Sequence, residues 1–173
     1  MPIHPLHFFL PLLIGTGLVH ATELETAQKF WLAGQRSQAV ATIEQALQRT
    51  PSELKLRFAL GVMKMELGEQ SAALSVFTAL SQDFPELAEP FNNLAVIHAA
   101  QGELDLAHSE LEQALRVQPD HAQAQENLGD VLLRLAARAY QRAQAALLTP
   151  PDSLAIKLRR TQALLLLSAT TPP

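Results

Sequence analysis

Glycine recurs at Gly34, Gly68 and Gly102, and proline at Pro51, Pro85 and Pro119, each time at an interval of 34 residues. The same interval joins Ala39, Ala73 and Ala107, then Ile43, Phe77 and Leu111, then Ala46, Leu80 and Ala114. In another phase it joins Leu60, Leu94 and Leu128, each followed by a small residue: Gly61, Ala95 and Gly129. A register this regular means copies of one supersecondary unit, because a fixed period is the signature of stacked repeats. Each column has a physical task. The glycine allows the backbone to turn tightly between two helices without a Cβ clash. The alanines sit where two helices cross closely and bulk would push them apart. The prolines end the unit, since the ring cannot continue a helix and lacks an amide donor. One unit alone cannot cover its apolar stripe, so stacking is required for stability. The chain is rich in Ala, Leu and Gln, which favour helix. The expected fold is all-α.

The 34-residue helix–turn–helix unit resembles the tetratricopeptide repeat family. The unit Ala88 to His121 carries the family pattern most fully, with Phe91 at the usual Trp position, Leu94-Ala95 as the Leu-Gly pair and His98 where Tyr is usual, followed by Gly102, Ala107, Leu111, Ala114 and Pro119. Leu54 to Leu87 matches almost as well. The first unit fits from Ala27 onward, with Glu23 and Thr26 replacing large apolar residues, as suits a terminal repeat whose outer face meets water. The resemblance implies a superhelical array of antiparallel helix pairs: three full units over 22–53, 54–87 and 88–121, then a degenerate fourth over 122–148.

The fourth unit opens with Asn127-Leu128-Gly129-Asp130 and then has no glycine or proline until Pro150. Leu128, Leu132, Leu135, Ala139, Ala143 and Ala146 keep one helical stripe. The pattern predicts a single long helix from about His121 to Leu148; the alternative is two helices meeting tightly near Ala136-Ala137. Pro150-Pro151 ends it, and Asp152 or Ser153 is placed to cap a closing helix over 152–168. That helix has Leu154, Leu158, Thr161 and Leu165 on one face. The run Leu164 to Leu167 either packs deeply against the fourth unit, the favoured reading, or offers a contact surface. Residues 169–173 are expected to fray.

The first 21 residues contain no Asp, Glu, Lys or Arg, and Phe8 to Val19 is an apolar run. Val19-His20-Ala21 places small residues at −3 and −1 of a signal-peptidase site. The run is short for a bilayer span of about 20 residues. A cleaved secretory signal is therefore expected, with a periplasmic location. An uncleaved N-terminal membrane anchor is the alternative, because the segment has no Lys or Arg at its start. There is no cysteine, which removes disulfides, thiol nucleophiles and zinc–thiolate sites.

Net charge is −4, against a nucleic-acid partner. Met65 to Leu115 holds nine acidic residues and no Lys or Arg, whereas Val131 onward holds six basic residues against Asp152 alone. No Gly-rich phosphate loop or Gly-x-Ser-x-Gly motif occurs, so neither catalysis nor a cofactor is expected. His98, His108 and His121 form no i, i+4 ligand pair, so no metal is expected either.

Proteins of this family bind peptides or helices in a concave groove lined by the first helix of each pair. Carried onto this chain, that resemblance points to Gln28 and Trp31, with Leu24 and Leu32, in the first unit. The second unit supplies Lys55, Phe58, Val62 and Met65, with Ala59 and Glu66; the third, Asn92, Asn93 and Val96, with Ala100. The fourth supplies Asn127, Asp130 and Arg134, with Gln123 and Glu126. Asn93 and Asn127 are equivalent positions, and an amide there can donate and accept toward a peptide group at once; the other reading is an ordinary helix-surface residue. The family's clamp for acidic chaperone tails requires Lys and Asn where Phe58 and Val62 stand, so that clamp is not intact. Arg134, Arg138 and Arg142 recur at i, i+4, i+8, either as a solvated face or as a basic docking stripe. The phrases Asn92 to Gly102 and Glu126 to Asp130 are similar to those of bacterial secreted repeat proteins. The expected function is an extracytoplasmic scaffold holding a protein or peptide partner, in cell-envelope assembly. The alternative is a structural subunit that self-associates through its acidic middle and basic end.

Overall fold

The computed structural model describes residues 18–170, with side chains from Thr22 to Leu167. Among these residues there are eight helices and no strand. They divide into two compact units, whose described parts are 18–85 and 86–170. The N-terminal unit holds α1 (Leu18–Leu32), α2 (Arg36–Arg49), α3 (Leu54–Glu66) and α4 (Gln70–Asp83). The C-terminal unit holds α5 (Ala88–Ala100), α6 (Leu104–Val117), α7 (Ala122–Ala146) and α8 (Asp152–Thr170).

Three hairpins, α1–α2, α3–α4 and α5–α6, close by the same device. Gly34, Gly68 and Gly102 adopt φ of 77°, 75° and 83°. The next residue's amide reaches back five positions: Gln35 to the Phe30 carbonyl, Glu69 to Lys64 and Glu103 to His98, each at 2.9 Å. This is the Schellman closure, which satisfies the last carbonyls of the first helix while aiming the chain back along it. A Cβ on any of these glycines would meet nothing within 4 Å, so the backbone angle alone demands glycine. The carbonyls of Gln35, Glu69 and Glu103 then accept from Ala39, Ala73 and Ala107, starting the second helix. Those three alanines are fully buried. Between hairpins, Pro51 and Pro119 occupy the second position of turns closed by Glu53 to Thr50 and His121 to Gln118, both at 3.2 Å.

The core of the N-terminal unit is Ala27, Ala39, Val40, Ile43, Ala46, Leu56, Ala59 and Met63, with Phe30, Trp31 and Leu60 packed against it. Phe77 is fully buried, its ring lying edge-on to Phe58 at 5.6 Å between centroids. In the C-terminal unit α6 buries Leu104, Ala107, Leu111 and Ala114, and α7 buries Ala124, Val131 and Ala137. α7 is continuous for 25 residues. With no glycine or proline between Asp130 and Thr149, nothing favours a turn in its second half.

α1 begins at Leu18, and most of the apolar run expected to form a signal lies outside the described residues. Other expectations need revision. α8 continues to Thr170 rather than fraying from 169, and residues 171–173 lie outside the described range. Asp152 is inside the first turn of α8 instead of capping it, because the Pro151 carbonyl already accepts from Leu154 at 2.9 Å. The run Leu164 to Leu167 does not pack deeply: Leu164, Leu166 and Leu167 are each more than half exposed. Leu158 and Thr161 are the buried residues of α8, with Leu154 and Leu165 half-buried beside them.

Candidate functional site

In the N-terminal unit the candidate surface lies on α1 and α3. Gln28, Trp31, Lys55, Phe58 and Met65 are partly exposed, whereas Val62 is buried. The last turns of the two helices are joined by Trp31, whose indole Nε1 donates to the Glu66 carboxylate at 3.1 Å. The Arg36 guanidinium lies over the indole ring, 4.0 Å from its centroid, and donates to the Trp31 carbonyl at 2.8 Å. One ring face and the ring N–H are thus held, and the aromatic is pre-set in one orientation. Leu32, next to it, is almost wholly exposed. Sequence reasoning missed Arg36, since nothing in the repeat pattern marks a side chain that folds back across the turn. Phe58 has a divided role, with one edge in the core against Phe77 and the rest reachable.

In the C-terminal unit the expected residues lie on α5 and α7, where Ala100 and Glu126 are exposed and Gln123 is partly exposed, but four are not at a surface. Asn92, Asn93 and Asn127 are each about 1% exposed and Val96 is buried. Asn127 Nδ2 donates to Asn92 Oδ1 at 2.9 Å, linking the two helices. Asn93 Nδ2 donates to the Glu89 carbonyl at 2.8 Å, one turn back on its own helix. The Asn92 amide nitrogen is buried without a hydrogen-bond partner among the described residues. The expectation that Asn93 and Asn127 present amides to a ligand is corrected accordingly: in this structure both are turned to internal bonds. A buried amide must be paired, and two first helices lying side by side bring the next repeat's asparagine within reach. Asp130 and Arg134 remain partly exposed. Burial pulls the Arg134 guanidinium below its ordinary range, against the opposing pull of the Asp130 carboxylate.

The repeat register, the shared Schellman turns and the paired helices point to one family, and the model of the tetratricopeptide repeat matches residues 24–88 and 92–143. The chain belongs to the tetratricopeptide repeat family. Human superkiller complex protein 3 is 28% identical over 138 residues, covering 75% of this chain but only 9% of that protein's length. The chain therefore spans less than a tenth of the relative it matches. Among solved structures, the first tetratricopeptide domain of Spaghetti (RPAP3) bound to an HSP90 peptide aligns with a TM-score of 0.62 at 16% identity, covering 67% of this chain and 92% of that one. YrrB, described as having an unusual peptide-binding site, aligns with a TM-score of 0.57 at 24% identity, over 61% of this chain and 55% of that one. At these identities the likeness establishes the fold.

Within this tetratricopeptide repeat chain His98, His108 and His121 act separately. His98 Nδ1 lies 2.8 Å from the Glu110 carboxylate and its Nε2 lies 3.8 Å from Glu103. Burial raises the Glu110 carboxyl above its ordinary range, and the His98 contact opposes that rise. His108 faces Glu112 one turn along α6, and His121 Nδ1 accepts from the Ala124 amide at 3.2 Å to cap α7. Among the described residues no group of three or more His, Cys, Asp or Glu side chains is arranged so that it could hold a metal ion. The arginines expected to form one stripe differ in environment. Arg134 is half-buried, Arg138 is bonded to Asp105 at 2.6 Å, and Arg142 is exposed. Asp105 is held below the usual carboxylate range, chiefly by its hydrogen bond from Arg138.

Proposed function

We propose that this chain is a non-catalytic scaffold that holds a protein or peptide partner against the first helices of its hairpins. The reading rests most heavily on the α1–α3 face. There Gln28, Trp31, Lys55, Phe58 and Met65 stay partly exposed, while the second helices of the same hairpins bury Ala39, Ile43, Ala73 and Phe77. A partly exposed aromatic, a flexible thioether and a cation on a rigid frame suit recognition more than chemistry. Two solved relatives of the fold are named for the peptides or peptide-binding site they carry, which supports the same class of ligand here. Since Phe58 and Val62 replace the Lys and Asn of the acidic-tail clamp, the favoured ligand is an apolar segment with some positive charge, able to meet Trp31, Met65 and Glu66. We further propose an extracytoplasmic setting, in cell-envelope assembly, which rests on the signal-like N-terminus.

The test is site-specific photo-crosslinking in intact cells from Gln28 and Met65, with Ser75 on the exposed side of α4 as control. A partner captured from the first two positions, whose purified form binds the full chain and loses at least about tenfold in affinity with Trp31→Ala, supports the reading. Capture from Ser75 alone, or binding indifferent to Trp31→Ala and Met65→Ala, refutes it. N-terminal sequencing of the cellular protein tests the setting: a start at Met1 excludes signal cleavage.

A further inference from the structure

We propose that Met65 is a reversible oxidation site, at which hydrogen peroxide loosens a partner's hold on the α1–α3 face; this rests on that face being the binding surface. The chain has three methionines and no cysteine, so thioethers are the only sulfur that a peroxide meets. Met63 and Met65 lie two residues apart on α3, a spacing that turns side chains to nearly opposite sides of a helix. Met63 is 5% exposed and belongs to the core with Ile43, Leu56 and Ala59, whereas Met65 is partly exposed. Lys64, between them, is tied to Glu44 at 3.4 Å and to Glu69 at 2.9 Å, which holds this turn of α3 in place. Met1 lies outside the described residues.

Met65 follows Trp31 by 34 residues, so the two hold one position in successive repeats, on the first helices α1 and α3. The Trp31 indole Nε1 donates at 3.1 Å to Glu66, the residue after Met65, and joins the last turns of those helices. The indole is fixed there under Arg36, while the unbranched Met65 thioether stays adaptable. Hydrogen peroxide changes that thioether by oxygen transfer. The sulfur gives an electron pair to one peroxide oxygen, and the O–O bond breaks as the S–O bond forms. The departing hydroxide takes the transferred oxygen's proton and leaves as water; sulfur is oxidised by two electrons and peroxide is reduced by two. The sulfoxide oxygen is a strong acceptor on a face that meets an apolar segment, and covering it without a donor opposes binding. The Trp31 N–H cannot serve, being already held by Glu66. Methionine sulfoxide reductases reverse the change: two thiols supply two electrons and become a disulfide, and the oxygen leaves as water.

Trypsin separates the two sulfurs, because cleavage after Arg57, Lys64 and Arg116 puts Met63 in the peptide Phe58–Lys64 and Met65 in Met65–Arg116. In the folded full chain under limiting hydrogen peroxide, mass spectrometry should show Met65 gaining oxygen at least about tenfold faster than Met63, with the two rates converging in urea. Equal rates in the folded chain overturn the proposal. For binding, the purified full chain carrying a photo-crosslinker at Gln28 is oxidised, freed of peroxide and irradiated in untreated cell extract, so that only this chain has met the oxidant. The crosslink yield should fall at least about fivefold, and recover once the chain is treated with the reductases for both sulfoxide epimers and dithiothreitol. In the Met65→Leu chain the yield should be the same with and without peroxide, whatever its starting value. A fall that persists in Met65→Leu, or a yield from the parent chain indifferent to peroxide, overturns the switch and leaves the binding face standing. No crosslink from the unoxidised parent chain removes the face and the switch together.

Discussion

Gly61 offers a sharp test of how the hairpins are packed. It lies inside α3, where an alanine would ordinarily be favoured over glycine by about 1 kcal/mol. A Cβ at Gly61 would stand 2.7 Å from Phe77 Cζ, shorter than real Cβ contacts, and 3.0 Å from both Cε atoms, at the tight edge of them. Phe77 is fully buried and its ring is braced by Phe58, so it cannot swing into solvent to make room. Overfilling such a site costs about 1–3 kcal/mol. Set against the helix preference, Gly61→Ala should lower stability by roughly 1 kcal/mol and no more than about 2. Gly129→Ala is the control: it is also a glycine inside a helix, but its Cβ would meet nothing within 4 Å, so the same change should raise stability by about 0.5–1 kcal/mol. The next repeat suggests the rescue, since the columns holding Gly61 and Phe77 hold Ala95 and Leu111 there. Gly61→Ala with Phe77→Leu should recover at least about half of the sum of the two single losses. Urea unfolding followed by the single tryptophan, Trp31, reads the Gly61 series, and circular dichroism reads Gly129→Ala. If Gly61→Ala stabilises as Gly129→Ala does, the close approach of α3 to Phe77 is wrong.

Two further predictions follow from the C-terminal unit. Asn127→Leu leaves the Asn92 amide buried with neither end paired, and should cost about 1–3 kcal/mol in urea unfolding; Asn92→Leu together with Asn127→Leu should return close to the parent, and a double variant showing the full sum would refute the pairing. Burial raises the Glu110 carboxyl above its ordinary value of 4.5. The folded state therefore holds this proton to higher pH than the unfolded one, and the stability it contributes below 4.5 is lost as pH rises through the folded value. Glu110→Gln should flatten the fall in stability on going from mildly acidic to neutral pH; an unchanged slope removes Glu110 as its source.

What could be read in the chain alone was whatever depends on local backbone demands. A hairpin closing through positive φ needs glycine at Gly34, Gly68 and Gly102, a helix that must stop shows proline just beyond it, and the lack of both after Asp130 is why α7 runs on. These rules act within a few residues, so they repeat visibly, and the all-helical family fold was legible from them. Side-chain fate is decided across greater separations. Asn92 and Asn127 lie 35 residues apart in sequence and only packing of α5 beside α7 turns both amides inward, as it turns Arg138 but not Arg142 to Asp105. The leucines at the end of α8 carry a pattern that suits burial or display equally. Only the width of the α7 contact, which ends at Leu158 and Thr161 with Leu154 and Leu165 at its margin, decided that most of them face out.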